Sequence, residues 1–183
     1  MSMGSYLFAA LAGALVMVAA TDASAQRLQL PQDVQGSSGD FAWRLLARHN
    51  LERDRKGAER LRWSQKLAQQ AQAWADRLAR TNRFEHADYK SRAGAGENLW
   101  MGSAGYYDAD QMIDTFLGER RHYTPGTFPQ NSRTGRWEDV AHYTQIIWPG
   151  TQEVGCAVAK GRVNDVLVCR YWPAGNTVGT RID

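Results

Sequence analysis

Cysteine and histidine are scarce in this chain of 183 residues, which contains two cysteines and four histidines. Two cysteines exclude a small fold held together mainly by disulfides, and they exclude a zinc site built from four cysteines. The sequence has no glycine-rich phosphate loop, dinucleotide-binding fingerprint, Gly-x-Ser-x-Gly nucleophile motif or His-x-x-x-His pair. A metal site or an acid–base site that uses histidine must therefore draw on His49, His86, His122 and His142.

An apolar run of fifteen residues lies near the N-terminus, at positions 6–20. It is shorter than the about 20 apolar residues that a membrane-spanning helix needs. The segment Ala23-Ser24-Ala25 fits the small-x-small rule for signal cleavage. We therefore predict a signal peptide over 1–25, a flexible lead-in over 26–39 and a domain over 40–183, with a retained membrane anchor as the alternative. The protein is then secreted and extracellular, or periplasmic or at the cell surface if it is bacterial.

The formal net charge is +3, and the basic excess is concentrated in residues 44–92. A basic face can bind anionic glycans or an anionic membrane surface, although a solvated helix face has the same composition. The segment lacks the interleaved basic and aromatic residues that are typical of nucleic-acid binding, so we expect no nucleic-acid partner.

Helical spacing dominates the first part of the domain and strand-like alternation dominates its end, which predicts an α+β fold. Asp40, Ser64 and Asp108 occupy predicted N-cap positions. The predicted helices cover residues 40–55, 65–81, 109–123 and 138–147, and the predicted strands cover 97–100, 154–159 and 166–172.

The two cysteines lie in the two strands of a predicted hairpin at the end of the chain. A hairpin that turns at 162–163 places Cys156 opposite Cys169. Two cysteines of an exported chain usually pair, so we predict a disulfide. The alternative is a nucleophilic cysteine assisted by a histidine, which the apolar surroundings of both cysteines make less favourable.

Two glutamates and one histidine occupy partly apolar segments. Glu119 lies on a helical face between Phe116 and Tyr123, and a carboxylate on such a face needs a partner. Glu97 precedes an apolar pair, and His142 lies in a mostly apolar segment. An edge glutamate paired with an arginine and a hydrogen-bonded core histidine are the ordinary alternatives. These patterns alone do not bring the side chains together.

Several segments in chain order match one family pattern. They are His49-Asn50-x-x-Arg53, Leu61 to Ala68, Trp74-Ala75, Gly96-Glu97-Asn98-Leu99, Ala141 to Trp148, Val154 to Ala157, Val168 to Tyr171 and Pro173-x-Gly175-Asn176. Over about residues 41–179 the chain resembles the CAP superfamily of cysteine-rich secretory proteins, insect venom antigens and plant pathogenesis-related proteins. The resemblance implies a three-layer α-β-α sandwich with a central antiparallel sheet.

The resemblance also implies a cleft in which two histidines and two glutamates can hold a divalent metal. By position these residues are His86, Glu97, Glu119 and His142. Zinc suits such a set better than magnesium does. Two departures adjoin the cleft, because Phe116 replaces the tryptophan of the family and Ala141 replaces its glycine; the added methyl group is expected to narrow the cleft or tilt His142.

The first functional hypothesis follows from the resemblance, which implies a non-enzymatic binding module for an apolar ligand such as a sterol or fatty acid. Met101, Tyr106 and Tyr107 lie in a candidate ligand loop. The second is a metal-dependent hydrolase or peptidase in which Glu119 or Glu97 acts as general base. The third is an extracellular surface or matrix protein that uses its basic face. The ligand and the oligomeric state are left open.

Overall fold

The computed structural model describes Met1 and residues 37–183. The predicted signal peptide and most of the lead-in therefore lie outside the described residues. Within the described part, no helix has both the length and the apolar character that a membrane crossing requires.

The described part of the chain contains four α-helices and six strands. In order they are α1 (Ser37–Arg55), β1 (Arg62–Trp63), α2 (Gln65–Thr81), β2 (Gly96–Ser103), α3 (Ala109–Gly118), β3 (Gly126–Thr127), α4 (Ala141–Ile146), β4 (Glu153–Ala159), β5 (Asn164–Trp172) and β6 (Arg181–Ile182). Strands β1, β4, β5 and β2 form the main sheet in that spatial order, and β3 pairs with β6. All pairs in the main sheet are antiparallel except the short β1–β4 pair.

Helices cover both faces of the main sheet, because its strands carry apolar side chains on both sides. The apolar face of α2, with Ala71, Ala75 and Leu78, packs on the β2 and β5 residues Leu99 and Val168. The opposite face packs against the core formed by α1, α3 and α4. This arrangement is the predicted three-layer sandwich.

A glycine allows α2 to approach the sheet closely. A Cβ atom at Gly155 on β4 would overlap the backbone nitrogen of Ala68 and the carbonyl oxygen of Ser64. The absent side chain therefore sets the distance between the helix and the sheet.

The hairpin prediction is confirmed by the register of β4 and β5. Cys156 pairs directly with Cys169, and the two cysteines form a disulfide. Neither residue is a free thiol. Thiol catalysis, the alternative prediction, is excluded.

The third helix is shorter than predicted. Asp108 forms the expected cap, with reciprocal hydrogen bonds to Gln111. However, α3 ends at Gly118, and Glu119–Arg121 form a 3-10 turn in place of the helix predicted to residue 123. Glycine is a poor helix former, and the tighter turn redirects the chain at Glu119. Similarly, the helix predicted over 138–147 is a 3-10 turn, Trp137–Val140, followed by α4.

Candidate functional site

His86 and Glu97 form the first of two histidine–carboxylate pairs. His86 lies between α2 and β2, and its Nδ1 is 2.7 Å from Oε1 of Glu97, the second residue of β2. The backbone amide of Ala87 donates to the same oxygen at 3.0 Å. The other oxygen of Glu97 lies 2.9 Å from Nη2 of Arg170, and both of these side chains are buried. Burial lowers the pKa of Arg170, and the charge of Glu97 opposes that effect.

Glu119 and His142 form the second pair. Glu119 begins the 3-10 turn after α3, and His142 is the second residue of α4. Nδ1 of His142 lies 2.6 Å from Oε1 of Glu119. Oε2 of Glu119 accepts hydrogen bonds of 3.0 Å from the backbone amides of His142 and Tyr143. These bonds supply the partners that a carboxylate on an apolar face requires.

The same ring nitrogen is occupied in both histidines. A carboxylate only accepts, so Nδ1 of each ring carries a proton, and in the neutral ring Nε2 is the nitrogen with the lone pair. The side chain of His86 is 57% exposed and that of His142 is 31% exposed, whereas that of Glu97 is fully buried. Both imidazoles are therefore partly exposed to solvent, and each is oriented by the hydrogen bond between its Nδ1 and a less exposed carboxylate.

Strand β2 connects the two pairs. Asn98 follows Glu97, and its Nδ2 donates to the backbone oxygen of His142 at 3.1 Å. The same Nδ2 lies 3.1 Å from the hydroxyl of Tyr171, which is 2.8 Å from Nε2 of His49. His49 is fully buried, and both of its ring nitrogens are hydrogen-bonded, so it is a structural residue of the core.

Within residues 37–183, the four predicted cleft residues form two pairs and not one tight cluster. The potential ligand atoms of three residues lie within 4.8 Å of one another only at His49, Cys156 and Cys169. That group cannot coordinate a metal, because its sulfurs are joined in a disulfide and both nitrogens of His49 are hydrogen-bonded. His122 accepts a bond from Arg121 and belongs to neither pair.

The two departures from the family pattern affect His142 differently. Phe116 stacks on the imidazole with ring centroids 4.6 Å apart and an interplanar angle of 17°. Ala141 has φ −63° and ψ −38°, an ordinary helical conformation that does not require glycine. The phenylalanine thus restrains the ring of His142, and the extra methyl group of Ala141 strains no backbone angle.

The candidate ligand loop is divided by strand alternation. Met101 packs with the apolar cluster under α2. Trp100 belongs to the core on the opposite face, and the centroids of its ring and the ring of Tyr107 are 5.1 Å apart. Tyr106 is 76% exposed and lies edge-on to Tyr107. The structure therefore brings the two tyrosines together and places Met101 on the other face of β2.

Sequence reasoning missed the residues that hold the pairs in place. Arg170, Asn98 and Tyr171 stood within matched segments, but neither spacing nor apolar periodicity indicates their partners. Glu52, whose carboxylate accepts hydrogen bonds from Tyr143 and Arg120, was missed for the same reason. Each of these side chains contacts a residue that is distant along the chain, so no local pattern reports the contact.

The sequence model of a protein family described as the cysteine-rich secretory protein family, CAP, matches residues 46–171 of this chain. The chain therefore belongs to the CAP family. Pathogenesis-related protein 1C of Nicotiana tabacum is 30% identical over 146 residues, which cover 79% of this chain and 80% of that protein. Protein PRY2 of Saccharomyces cerevisiae is 34% identical over 147 residues, which cover 79% of this chain.

The chain spans 40% of the length of PRY2. Secreted protein RBT4 of Candida albicans is 31% identical over 143 residues, which cover 76% of this chain and 37% of that protein. Relatives named as secreted and pathogenesis-related proteins place this chain among extracellular proteins.

Solved structures agree on the fold. The crystal structure of NaASP2 with Zn²⁺ has a TM-score of 0.66 at 23% identity, covering 84% of this chain and 88% of that one. The structure of BmVAL-1 has a TM-score of 0.64 at 21% identity, covering 77% and 80%. At these identities the likeness concerns the fold alone.

Proposed function

We propose that this chain is a secreted CAP binding module whose cleft holds a divalent metal through His86 and His142. One observation carries the proposal: Nδ1 of each imidazole is hydrogen-bonded to a carboxylate, which leaves Nε2 as the nitrogen that can bind a metal. Histidines that bind zinc are usually supported in this way, because the carboxylate orients the ring and makes its other nitrogen more basic. The donor set thus fits zinc better than magnesium, which prefers oxygen ligands.

In this arrangement the histidines are the ligands and the glutamates position them. Glu97 already accepts from His86 and Ala87 and faces Arg170. A bound metal would add a Lewis-acidic positive charge at the cleft. The chain's own residues would orient the imidazoles and keep one ring nitrogen of each protonated.

Binding is favoured over hydrolysis. A general base needs a carboxylate oxygen that can reach a substrate proton. Both oxygens of Glu119 are engaged by His142 and two backbone amides, and Glu97 is buried. Neither glutamate is therefore well placed as the general base of the hydrolase hypothesis.

Isothermal titration of the protein with zinc near neutral pH tests the metal proposal. His86→Asn and His142→Asn should each weaken binding by at least about tenfold, because each removes a ligand. His122→Asn is the matched control, since His122 lies outside both pairs, and it should bind as the wild type does. Undetectable binding by the wild type at micromolar zinc would refute the proposal.

An apolar ligand is the second part of the proposed function. The exposed ring of Tyr106 and the adjacent Tyr107 form an aromatic edge outside the core, and such exposed apolar surface is typical of binding sites. Native mass spectrometry with a panel of sterols and fatty acids tests it. The double variant Tyr106→Ser and Tyr107→Ser should lose the adduct, while Val178→Ser, which changes another exposed apolar residue, should retain it. A wild type that binds no member of the panel contradicts this part.

A groove favours the anionic-glycan alternative. Its volume is about 510 Å³, and it lies between the end of α2 and the turn that joins β4 to β5. Arg80, Lys160 and Arg162 line it together with one acidic residue, Asp76. Retention on a sulfated polysaccharide column that falls with rising salt and with Arg80→Gln plus Arg162→Gln would support this alternative. If the double variant is retained as strongly as the wild type, the groove is excluded as the glycan-binding site.

A further inference from the structure

Glu52 is a buried carboxylate of α1 that belongs to neither histidine–carboxylate pair. Its side chain is 3% exposed. Oε1 accepts a 2.9 Å hydrogen bond from the hydroxyl of Tyr143, and Oε2 accepts 3.0 Å bonds from Nη1 of Arg120 and Nη1 of Arg55. A buried charge is costly unless it is paired and hydrogen-bonded, and these three donors meet that requirement.

Two of the three donors are the direct neighbours of one site pair. Arg120 follows Glu119 in the 3-10 turn, and Tyr143 follows His142 in α4. Tyr143 connects the two sets, because its hydroxyl bonds to Glu52 while its backbone amide bonds to Glu119. Glu52, on α1, is thus hydrogen-bonded to both chain segments that carry the Glu119–His142 pair.

The hydroxyl of Tyr143 is a buried donor. It donates to Oε1 of Glu52, a carboxylate oxygen that only accepts. The contact of Arg120 with the same carboxylate adds a charge-assisted bond.

The family pattern does not specify this residue. Glu52 lies at one of the two positions that the pattern His49-Asn50-x-x-Arg53 leaves unspecified. Arg53, a residue of the pattern itself, donates instead to backbone oxygens of Ile146, Trp148 and Thr151.

We infer that Glu52 is a positioning residue for the candidate site, which fixes the Glu119–His142 pair and with it the direction in which His142 presents Nε2. The metal readout of this inference rests on the proposed function, but the geometry of the pair does not. A purely structural role predicts lower stability without a change in the pair of the folded protein. The two roles can therefore be separated by experiment.

Glu52→Gln is the first test, because it removes the charge and keeps an oxygen that can accept from Tyr143. In metal-free protein labelled with ¹⁵N-histidine, the Nδ1 proton of His142 should exchange with solvent faster than in the wild type, since its carboxylate partner is less firmly held. Zinc affinity should fall by about three- to tenfold, less than for a direct partner of a ligand. Asp54→Asn is the matched control, because Asp54 is on the same helix and pairs with Arg60 at the surface.

The outcomes distinguish the two proposals. If the exchange rate of the His142 Nδ1 proton and the zinc affinity of Glu52→Gln both match the wild type within twofold, the inference is overturned. A wild type without zinc affinity, combined with faster proton exchange in Glu52→Gln, refutes the proposed metal site and supports the positioning role. If Glu52→Gln does not fold, Tyr143→Phe removes only the hydroxyl contact and keeps the backbone bond to Glu119. The same proton should then exchange faster, and unchanged exchange would overturn the inference.

Discussion

Acidification from pH 7 to pH 4 should destabilise the protein through His49, a fully buried imidazole of α1. Its Nδ1 is 2.7 Å from the carbonyl oxygen of Leu45, which only accepts, so Nδ1 carries the proton. Nε2 then accepts from the hydroxyl of Tyr171 at 2.8 Å. A second proton would abolish that bond and place a charge in the core. Burial lowers the pKa of His49 to about 4, with the bond to Leu45 opposing and the charge of Arg53 reinforcing the effect.

The free-energy change follows from the two pKa values of His49. The ordinary value is 6.5 and the folded value is about 4, a difference that corresponds to about 3 kcal/mol. Between these values the unfolded chain binds the proton and the folded chain does not. The stability contributed by neutral His49 is therefore complete above pH 6.5, is lost progressively as the pH falls, and is absent below about pH 4.

Urea denaturation at intervals between pH 3.5 and 7.5, with the wild type and His49→Gln, measures this contribution. The unfolding free energy of both proteins should decrease as the pH falls from 7.5 to 3.5. Because the variant lacks the titrating imidazole, its decrease should be smaller than that of the wild type by about 3 kcal/mol. Comparing the two proteins cancels the carboxylates that titrate in both. Parallel curves for the two proteins, or a His49 pKa above 6 by NMR, would refute the reasoning.

Three further predictions concern the sheet. Gly155→Ala should destabilise the fold by about 3 kcal/mol or more, because the new Cβ overlaps backbone atoms of α2, whereas Gly150→Ala, which has room, should change the melting temperature little. Replacing Cys156 and Cys169 by alanine should lower the unfolding free energy by about 3 kcal/mol, since the bridge spans 13 residues; wild-type protein that unfolds equally with and without reductant would contradict this. Burial tends to raise the pKa of Asp165, but bonds from Lys160, Gly105 and Gly161 outweigh it and hold the pKa below its usual value. Asp165→Asn should therefore lose stability mainly above pH 4, and equal loss at pH 3 and pH 7 would count against it.

Much of the fold was predictable because its signals are local. The reciprocal cap of Asp108, the apolar face of α2 and the hairpin register that joins Cys156 to Cys169 all arise from residues close together in the chain. The end of α3 was not predictable, because apolar spacing continues through Glu119 to Tyr123 and only the folded chain shows the turn. A periodic pattern reports a face but not the point at which the backbone changes its hydrogen bonding.

The candidate site shows the same division. The four histidines and two cysteines that such chemistry could use are evident from composition alone, and the order of the motifs identified His86, Glu97, Glu119 and His142 as candidates. Their arrangement in two pairs, with Arg170 next to Glu97 and Glu52 bonded to Tyr143 beside the other pair, is visible only in the folded chain. The contacts between Glu119 and His142, and between Glu52 and Tyr143, join residues 23 and 91 positions apart. These hydrogen bonds form only when separate helices and turns pack on one sheet, and such packing produces no periodic pattern in the sequence around either partner.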